Sequence, residues 1–137
     1  MKITQKIVNQ IAYDIVGCAI EVHKQLGPGL LESIYEKCLI EEIQDHGFNV
    51  ESQVPVPICY KGKLLNQELK LDLLINDLII VELKAVEQLL PICEAQLLSY
   101  LKLANKPKGL LINFNCKNIV EDMIPLVTQK FADLDIN

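Results

Sequence analysis

The chain contains no arginine and no tryptophan, and aromatic residues make up only 5% of its 137 residues. Without arginine, no guanidinium group can contact a phosphate or a base edge through two parallel hydrogen bonds. With so few aromatic rings, there is also no obvious platform on which single-stranded bases could stack. The composition therefore removes two of the usual means of recognising nucleic acid.

Long apolar runs and paired cysteines are also lacking. No apolar run approaches the roughly 18 residues that span a bilayer, and Asn9, Gln10 and Asp14 interrupt the region where a signal peptide would be apolar. The five cysteines include no CxxC pair, and the chain has only two histidines, so no structural zinc site is expected. We interpret the cysteines as small buried hydrophobic residues in a reducing compartment. These absences predict a soluble, cytoplasmic protein with no membrane partner.

The formal charge of −5 is unevenly distributed along the chain. Residues 1–60 carry four lysines and eight acids, and residues 118–137 carry one lysine and four acids. The middle, residues 61–117, carries eight lysines and six acids. A positive middle can attract phosphate groups, although weakly and with a strong dependence on salt.

Hydrophobic residues make up 50% of the chain, which is enough to form one core. Apolar residues recur at helical spacing in some segments and alternate with polar residues in others. These patterns predict helices over residues 3–26 and 30–46, strands over 48–60, 64–75 and 78–85, a helix over 91–104, a strand over 110–115 and a helix over 123–134. The order ααβββαβα is typical of a single α/β or α+β domain over residues 1–137, in which helices cover a sheet.

Three charged residues stand inside the most apolar predicted strands, namely Asp72, Glu82 and Lys84. Charged side chains are rarely buried unless they are paired or bind a metal ion. Glu82 and Lys84 are two positions apart and therefore project from one face of their strand. A divalent cation could bind the carboxylates, with the lysine beside it orienting a water molecule. An ion pair of Lys84 with Asp72 or Glu82 is the alternative interpretation.

A shared site for these acids requires a particular strand register. If Asn76 and Asp77 alone formed a two-residue turn, Asp72 would lie opposite Val81 and point away from Glu82. We therefore predict a connection of odd length, such as a three-residue loop over 76–78, or a bulge.

Several segments together resemble a known family. An Asp followed about ten residues later by Glu-Leu-Lys resembles the PD-(D/E)XK nuclease superfamily. The segment Leu26–Glu36, LGPGLLESIYE, is more specifically similar to the small GxxExxxY proteins of that superfamily. The likeness continues through the segments ELKAVE at 82–87, EAQLLSYL at 94–101 and GLLINF at 109–114. The resemblance implies a restriction-endonuclease-like mixed sheet flanked by helices.

The resemblance also implies roles for individual residues. Asp72 and Glu82 would be the metal-binding carboxylates, the backbone carbonyl of Leu83 a further ligand, and Lys84 the catalytic lysine. The expected cofactor is Mg²⁺ or Mn²⁺.

Further acids and polar residues match the pattern of the superfamily. An acid on the preceding helix would join the metal ligands, for which Glu32 is the better match and Glu36, one turn later, remains open. Gln96 and Tyr100, four residues apart on the following helix, would assist catalysis. The proline of the PD element is absent, because Leu71 precedes Asp72. That proline is not a ligand, so its absence changes little.

The resemblance thus predicts a metal-dependent nuclease that hydrolyses phosphodiester bonds, with DNA preferred to RNA as its nucleic-acid partner. The low basicity and the lack of arginine favour an alternative, a non-catalytic module of the same fold that binds nucleic acid or a protein. A purely structural domain is the weakest interpretation, because the acids and the lysine are all present. The high apolar fraction of so short a chain favours a homodimer.

Overall fold

The computed structural model describes residues 2–137, which form a five-stranded mixed sheet with helices on both faces. The elements in chain order are α1 (Gln5–Leu26), α2 (Glu32–Asp45), β1 (Val50–Tyr60), β2 (Lys63–Ile75), β3 (Ile79–Lys84), α3 (Pro91–Ala104), β4 (Lys108–Asn113), α4 (Ile119–Asp122), β5 (Ile124–Val127) and α5 (Gln129–Ala132). This architecture confirms the predicted α+β fold, and the first seven elements lie where the sequence predicts them.

The strands are arranged in chain order across the sheet, from β1 to β5. β1, β2 and β3 are antiparallel neighbours, whereas β3 and β4 are parallel and are connected through α3. A parallel pair requires such a crossover, because its second strand must start again at the same end of the sheet. β5 then returns antiparallel to β4 and forms the outer edge.

Each face of the sheet carries its own apolar core. The larger core joins one face to α1 and α2, and its fully buried members include Ile15, Tyr35, Leu39 and Phe114. The smaller core joins the other face to α3 through apolar residues that include Leu97 and Leu101. Because both faces are covered, β3 and β4 in the middle of the sheet are buried along almost their whole length.

The predicted helix over residues 123–134 is wrong. This segment forms the strand β5 and the single turn α5 instead. Pro125 lies opposite Leu110 on the edge of the sheet, where a residue without an N–H group is tolerated. Ile124 and Leu126 alternate with exposed neighbours and pack on the smaller core, so the contact with β4 decides the conformation.

The prediction that all five cysteines are buried is only partly correct. Cys18 is buried, three others are partly buried, and Cys59 is exposed on β1. Within the described part of the chain, no helix is both long and apolar enough to cross a membrane.

Two glycines allow a test of how closely α3 packs on β4. A Cβ atom at Gly109 would lie 3.1 Å from the side chains of Leu97 and Leu101, both fully buried, whereas a Cβ at Gly17 in α1 would meet nothing within 4 Å. We expect Gly109→Ala to lower the free energy of unfolding by about 1–3 kcal/mol through overpacking. Gly17→Ala should raise it by about 1 kcal/mol, because alanine favours a helix. Urea denaturation measures both, and equal stabilities would show that α3 can shift outward without cost.

Candidate active site

The connection between β2 and β3 has the odd length that a shared acid site requires. Ile75 pairs with Ile79 and Leu73 with Val81, so the loop consists of the three residues 76–78. Asn76 and Asp77 both adopt positive φ angles, of 50° and 58°. Asparagine and aspartate tolerate this left-handed conformation better than most residues, which explains their presence here.

This register brings Asp72 and Glu82 together just beyond the last paired residues. The backbone N–H of Asp72 donates a hydrogen bond to Oε1 of Glu82 at 3.2 Å. The backbone N–H of Leu83 donates in turn to Oδ2 of Asp72 at 2.9 Å. Each carboxylate thus holds the backbone of the opposite strand, and both strands fix the position of the acid pair.

β2 changes its orientation at Asp72. Leu71 packs in the smaller core and Leu73 in the larger core, although residues two apart on a regular strand share a face. On the neighbouring strand β1, Gln53 has a φ of 51°. It lies between Ser52 and Val54, which pair with Leu73 and Leu71. The regular alternation of faces along β2 is therefore broken at Asp72, which lies between a member of the smaller core and a member of the larger core.

The acid pair carries an unfavourable negative charge. Glu82 is only 7% exposed, and burial, followed by the nearby charge of Asp72, raises its pKa well above the usual range. Burial also raises the pKa of Glu32, again with a contribution from Asp72. Lys84 offsets part of this effect at both glutamates. The three acids and the lysine are therefore close enough to interact electrostatically.

Lys84 forms no direct ion pair. Throughout residues 2–137, the ion pairs are Lys2–Asp135 and Lys106–Asp77, neither of which involves the acid pair. The alternative interpretation, in which Lys84 is simply paired with Asp72 or Glu82, is therefore wrong. Its partly exposed side chain remains available to a ligand.

The two helix acids occupy different environments. Glu36 accepts a hydrogen bond from Nε2 of Gln53 at 3.1 Å, whereas the pKa of Glu32 responds to both Asp72 and Lys84. These observations favour Glu32 as the helix acid of the site. No group of three or more His, Cys, Asp and Glu side chains in the described residues is close enough to hold a metal ion, so Glu32 does not join the pair directly.

Tyr35 fixes the loop that precedes Glu32. Its hydroxyl donates to the carbonyl of Gly27 at 2.6 Å and accepts from the N–H of Leu30 at 3.1 Å. Its ring stacks on Phe114, directly after β4, with 4.7 Å between the ring centroids. Tyr35 therefore joins the start of α2 to the end of β4. Because Glu32 is the first residue of α2, this contact also helps to fix its position.

Asn113 is a positioning residue that the sequence analysis missed. It is buried at the end of β4, where its side chain accepts from the N–H of Val86 at 3.1 Å and donates to the carbonyl of Val86 at 2.9 Å. The backbone N–H of Phe114 also donates to the carbonyl of Lys84. These bonds hold the chain that leaves β3 and so fix the direction of Lys84. A single polar residue within the apolar run at 110–114 was the available signal.

The structure brings Gln96 and Tyr100 together on α3. Nε2 of Gln96 donates to the Tyr100 hydroxyl at 3.0 Å, while Leu97 and Leu101 on the same helix are buried. Gln96 is exposed and Tyr100 is half-buried. No hydrogen bond joins either of them to Lys84 within residues 2–137, so their contribution to the site stays a prediction.

Comparison with known proteins now decides the family. The family model of the PD-(D/E)XK nuclease superfamily matches residues 9–124. The chain belongs to the PD-(D/E)XK nuclease superfamily. No curated protein and no solved structure gives a significant match. The narrower resemblance to the GxxExxxY proteins stays a prediction, and here two residues, not three, separate Glu32 from Tyr35.

Nucleases of this superfamily generally use divalent metals, and the acid pair offers a suitable donor set. One oxygen of each carboxylate accepts a backbone N–H, and the other oxygen has no donor among the described residues. No fully buried side-chain oxygen in those residues lacks a partner, so the two remaining oxygens reach solvent. Mg²⁺ commonly binds one or two carboxylates and keeps several waters, which matches a pair of acids at the surface.

The hydroxyl of Tyr35 can be tested separately from its ring. Tyr35→Phe retains the stacking on Phe114 and removes the two hydrogen bonds to the loop. We expect a loss of about 1–3 kcal/mol in the free energy of unfolding, because polar groups near the core lose their partner. Tyr13→Phe is the control, since Tyr13 is 74% exposed and should change nothing. If both variants matched the wild type in urea denaturation, water would be replacing the hydroxyl.

The raised pKa of Glu82 predicts a pH dependence in metal-free protein. The folded state holds the proton of Glu82 more tightly than the unfolded chain does. The free energy of unfolding therefore falls as the pH rises above the pKa of about 4.3 that a glutamate has in the unfolded chain. Glu82→Gln should therefore be more stable than the wild type at neutral pH, with the difference shrinking towards pH 4. Thermal melts across this pH range measure it, with the exposed Glu94→Gln as the matched control. No gain at neutral pH would contradict the raised pKa.

Proposed function

We propose that this protein is a Mg²⁺- or Mn²⁺-dependent nuclease that hydrolyses phosphodiester bonds, with DNA preferred to RNA as its substrate. The observation that supports this proposal most directly is the placement of Asp72 opposite Glu82, with Lys84 nearby and free of an ion pair. The preference for DNA depends only on analogy with the superfamily.

Asp72 and Glu82 would hold the cation, together with the backbone carbonyl of Leu83. A bound cation would supply Lewis-acid polarisation of the scissile phosphate and would lower the pKa of a water molecule. The protein contributes the geometry: reciprocal backbone hydrogen bonds fix both acids before any ligand arrives. Little reorganisation is then needed when the substrate binds.

Lys84 would act on the attacking water and on the phosphate. Its ammonium group can donate a hydrogen bond that orients the water, and its charge offsets the negative charge that develops in the transition state. Asn113 acts through Lys84 by holding the chain that follows it. Glu32 would be the helix acid of the metal site, and Gln96 and Tyr100 would assist catalysis from α3.

A non-catalytic module that binds nucleic acid or a protein partner is the second candidate. The net charge of −5 and the absence of arginine favour it, because few cationic side chains are available to bind the phosphate backbone. Metal binding does not separate the two candidates, since such a module could keep the acid pair. Cleavage does separate them.

Metal binding should stabilise the wild type through the acid pair. A ligand that binds only the folded state raises the free energy of unfolding by about 2.7 kcal/mol at a hundredfold excess over its Kd. We expect millimolar Mn²⁺ to raise the Tm of the wild type and to leave Asp72→Asn unchanged. The matched control is Asp77→Asn, an exposed acid on the loop next to β2, which should keep the full shift. An unshifted wild type would count against the metal site and therefore against the nuclease.

Lys84→Ala should keep the metal-induced shift in Tm and lose cleavage, because the lysine serves the chemistry and not the coordination. The assay uses labelled single- and double-stranded DNA and RNA, with Mn²⁺ and with a chelator. Lys102→Ala, which removes an exposed lysine on α3, is the matched control and should cleave as the wild type does. A metal-induced shift in the wild type without cleavage of any of the four substrates would favour the binding module.

A further inference from the structure

A two-stranded arm projects from the sheet next to the acid pair. β2 pairs with β3 only through residues 73–75, so its earlier residues pair with β1 alone. We call residues 57–70 the arm. All of them are exposed except Ile58 and Leu69, which are partly covered. The arm ends two residues before Asp72, so its base lies at the candidate active site.

The arm is a preformed ribbon that is protected against strand addition. Tyr60 pairs with Lys63 around Lys61 and Gly62, whose φ angles are 49° and 76°. Two consecutive positive φ angles match the type I′ turn, which fits the natural twist of a hairpin. The outer strand carries Pro55 and Pro57, and proline on an edge discourages pairing with another chain. The arm is therefore unsuited to dimer formation through an extended sheet.

The charge of the arm is opposite to that of the remaining chain. Residues 57–70 carry three lysines and one glutamate, whereas all other residues together carry ten lysines and seventeen acids. A cationic arm fits an anionic partner, whereas contact between the arms of two copies would bring like charges together. The charge pattern therefore favours a polyanion.

The chemistry at the tip fits the surface of a duplex. Lys61, Lys63 and Lys70 are exposed and form no ion pair or side-chain hydrogen bond within the described chain. Tyr60 and Leu64 are 62% and 70% exposed at the tip. Lysines contact phosphates, and apolar side chains on such ribbons can press into the minor groove between base steps. A tip that is both cationic and apolar suits this surface.

We propose that the arm binds the backbone and minor groove of double-stranded nucleic acid and lays the duplex across the acid pair. The inference rests on the proposed function and adds which surface holds the substrate. β2 carries two extra residues where its register with β1 shifts, so β1 gives the length of the arm. From Gln53, opposite Asp72, to Tyr60 at the tip, seven steps of roughly 3.3 Å span about 23 Å. This length matches about seven base steps at 3.4 Å, so the tip contacts the duplex well away from the bond that is cut.

The test measures binding of a labelled 24-base-pair DNA duplex over a range of salt concentrations. All proteins carry Lys84→Ala, so that cleavage does not consume the probe. The arm variant is Lys61→Asn with Lys63→Gln, which keeps the turn because Asn-Gly favours type I′. The matched control is Lys6→Gln with Lys130→Gln, exposed lysines on α1 and α5. We expect the arm variant to bind more weakly, with a salt slope shallower by about 0.9 for each phosphate that it no longer neutralises. The control should keep the slope of the parent.

Three outcomes would overturn the inference, and they are distinguishable. If the arm variant binds like the control, the arm does not hold the duplex, whereas the proposed nuclease still stands. If the parent binds no duplex at any salt concentration, the proposed substrate itself fails. Light scattering gives the third readout: a dimeric parent that becomes monomeric through Leu64→Ser would identify the arm as a contact between copies. Retained metal-induced shifts in Tm in every variant would show that the fold is intact.

Discussion

The candidate site depends on the register between β2 and β3. The three-residue loop brings Asp72 and Glu82 to the same point, and each carboxylate then accepts a backbone N–H from the opposite strand. These bonds stabilise the end of the strand pair, yet they hold two acids close together, and ionisation of the buried one, Glu82, is unfavourable. Such an arrangement costs folding free energy in the absence of a cation. A group that is costly to the fold and fixed in position is characteristic of a functional site.

The surrounding elements hold this point from three sides. Tyr35 stacks on Phe114 and secures the loop before α2, which places Glu32 near the acid pair. Asn113 holds the chain after β3 and so directs Lys84. The stacking of Tyr35 on Phe114 and the bonds of Asn113 join segments that are widely separated along the chain. Tyr35 and Phe114 are both members of the larger core, so that core anchors the stacking contact.

The distribution of charge explains how an acidic protein without arginine could still bind a polyanion. Outside the arm acids outnumber lysines, which would repel nucleic acid, whereas in the arm lysines outnumber acids. Repulsion elsewhere would help to direct a duplex towards the arm and the neighbouring acids. Binding of this kind is weak at high salt and recognises the shape of the backbone more than its sequence. Lysine suits this task, because it contacts phosphate as a point charge.

The sequence by itself determined the order of the first seven elements, because period and turn residues are local signals. The odd length of the loop after Ile75 followed from the requirement that Asp72 and Glu82 share a site. The sequence also singled out Asp72, Glu82 and Lys84, since charges within apolar strands are conspicuous. Only the tertiary structure decided that residues 124–127 form a strand, because pairing with β4 outweighs a weak helical pattern. The tertiary structure likewise decided that Lys84 is unpaired and that Asn113 supports it, since these facts depend on contacts between segments far apart in the chain.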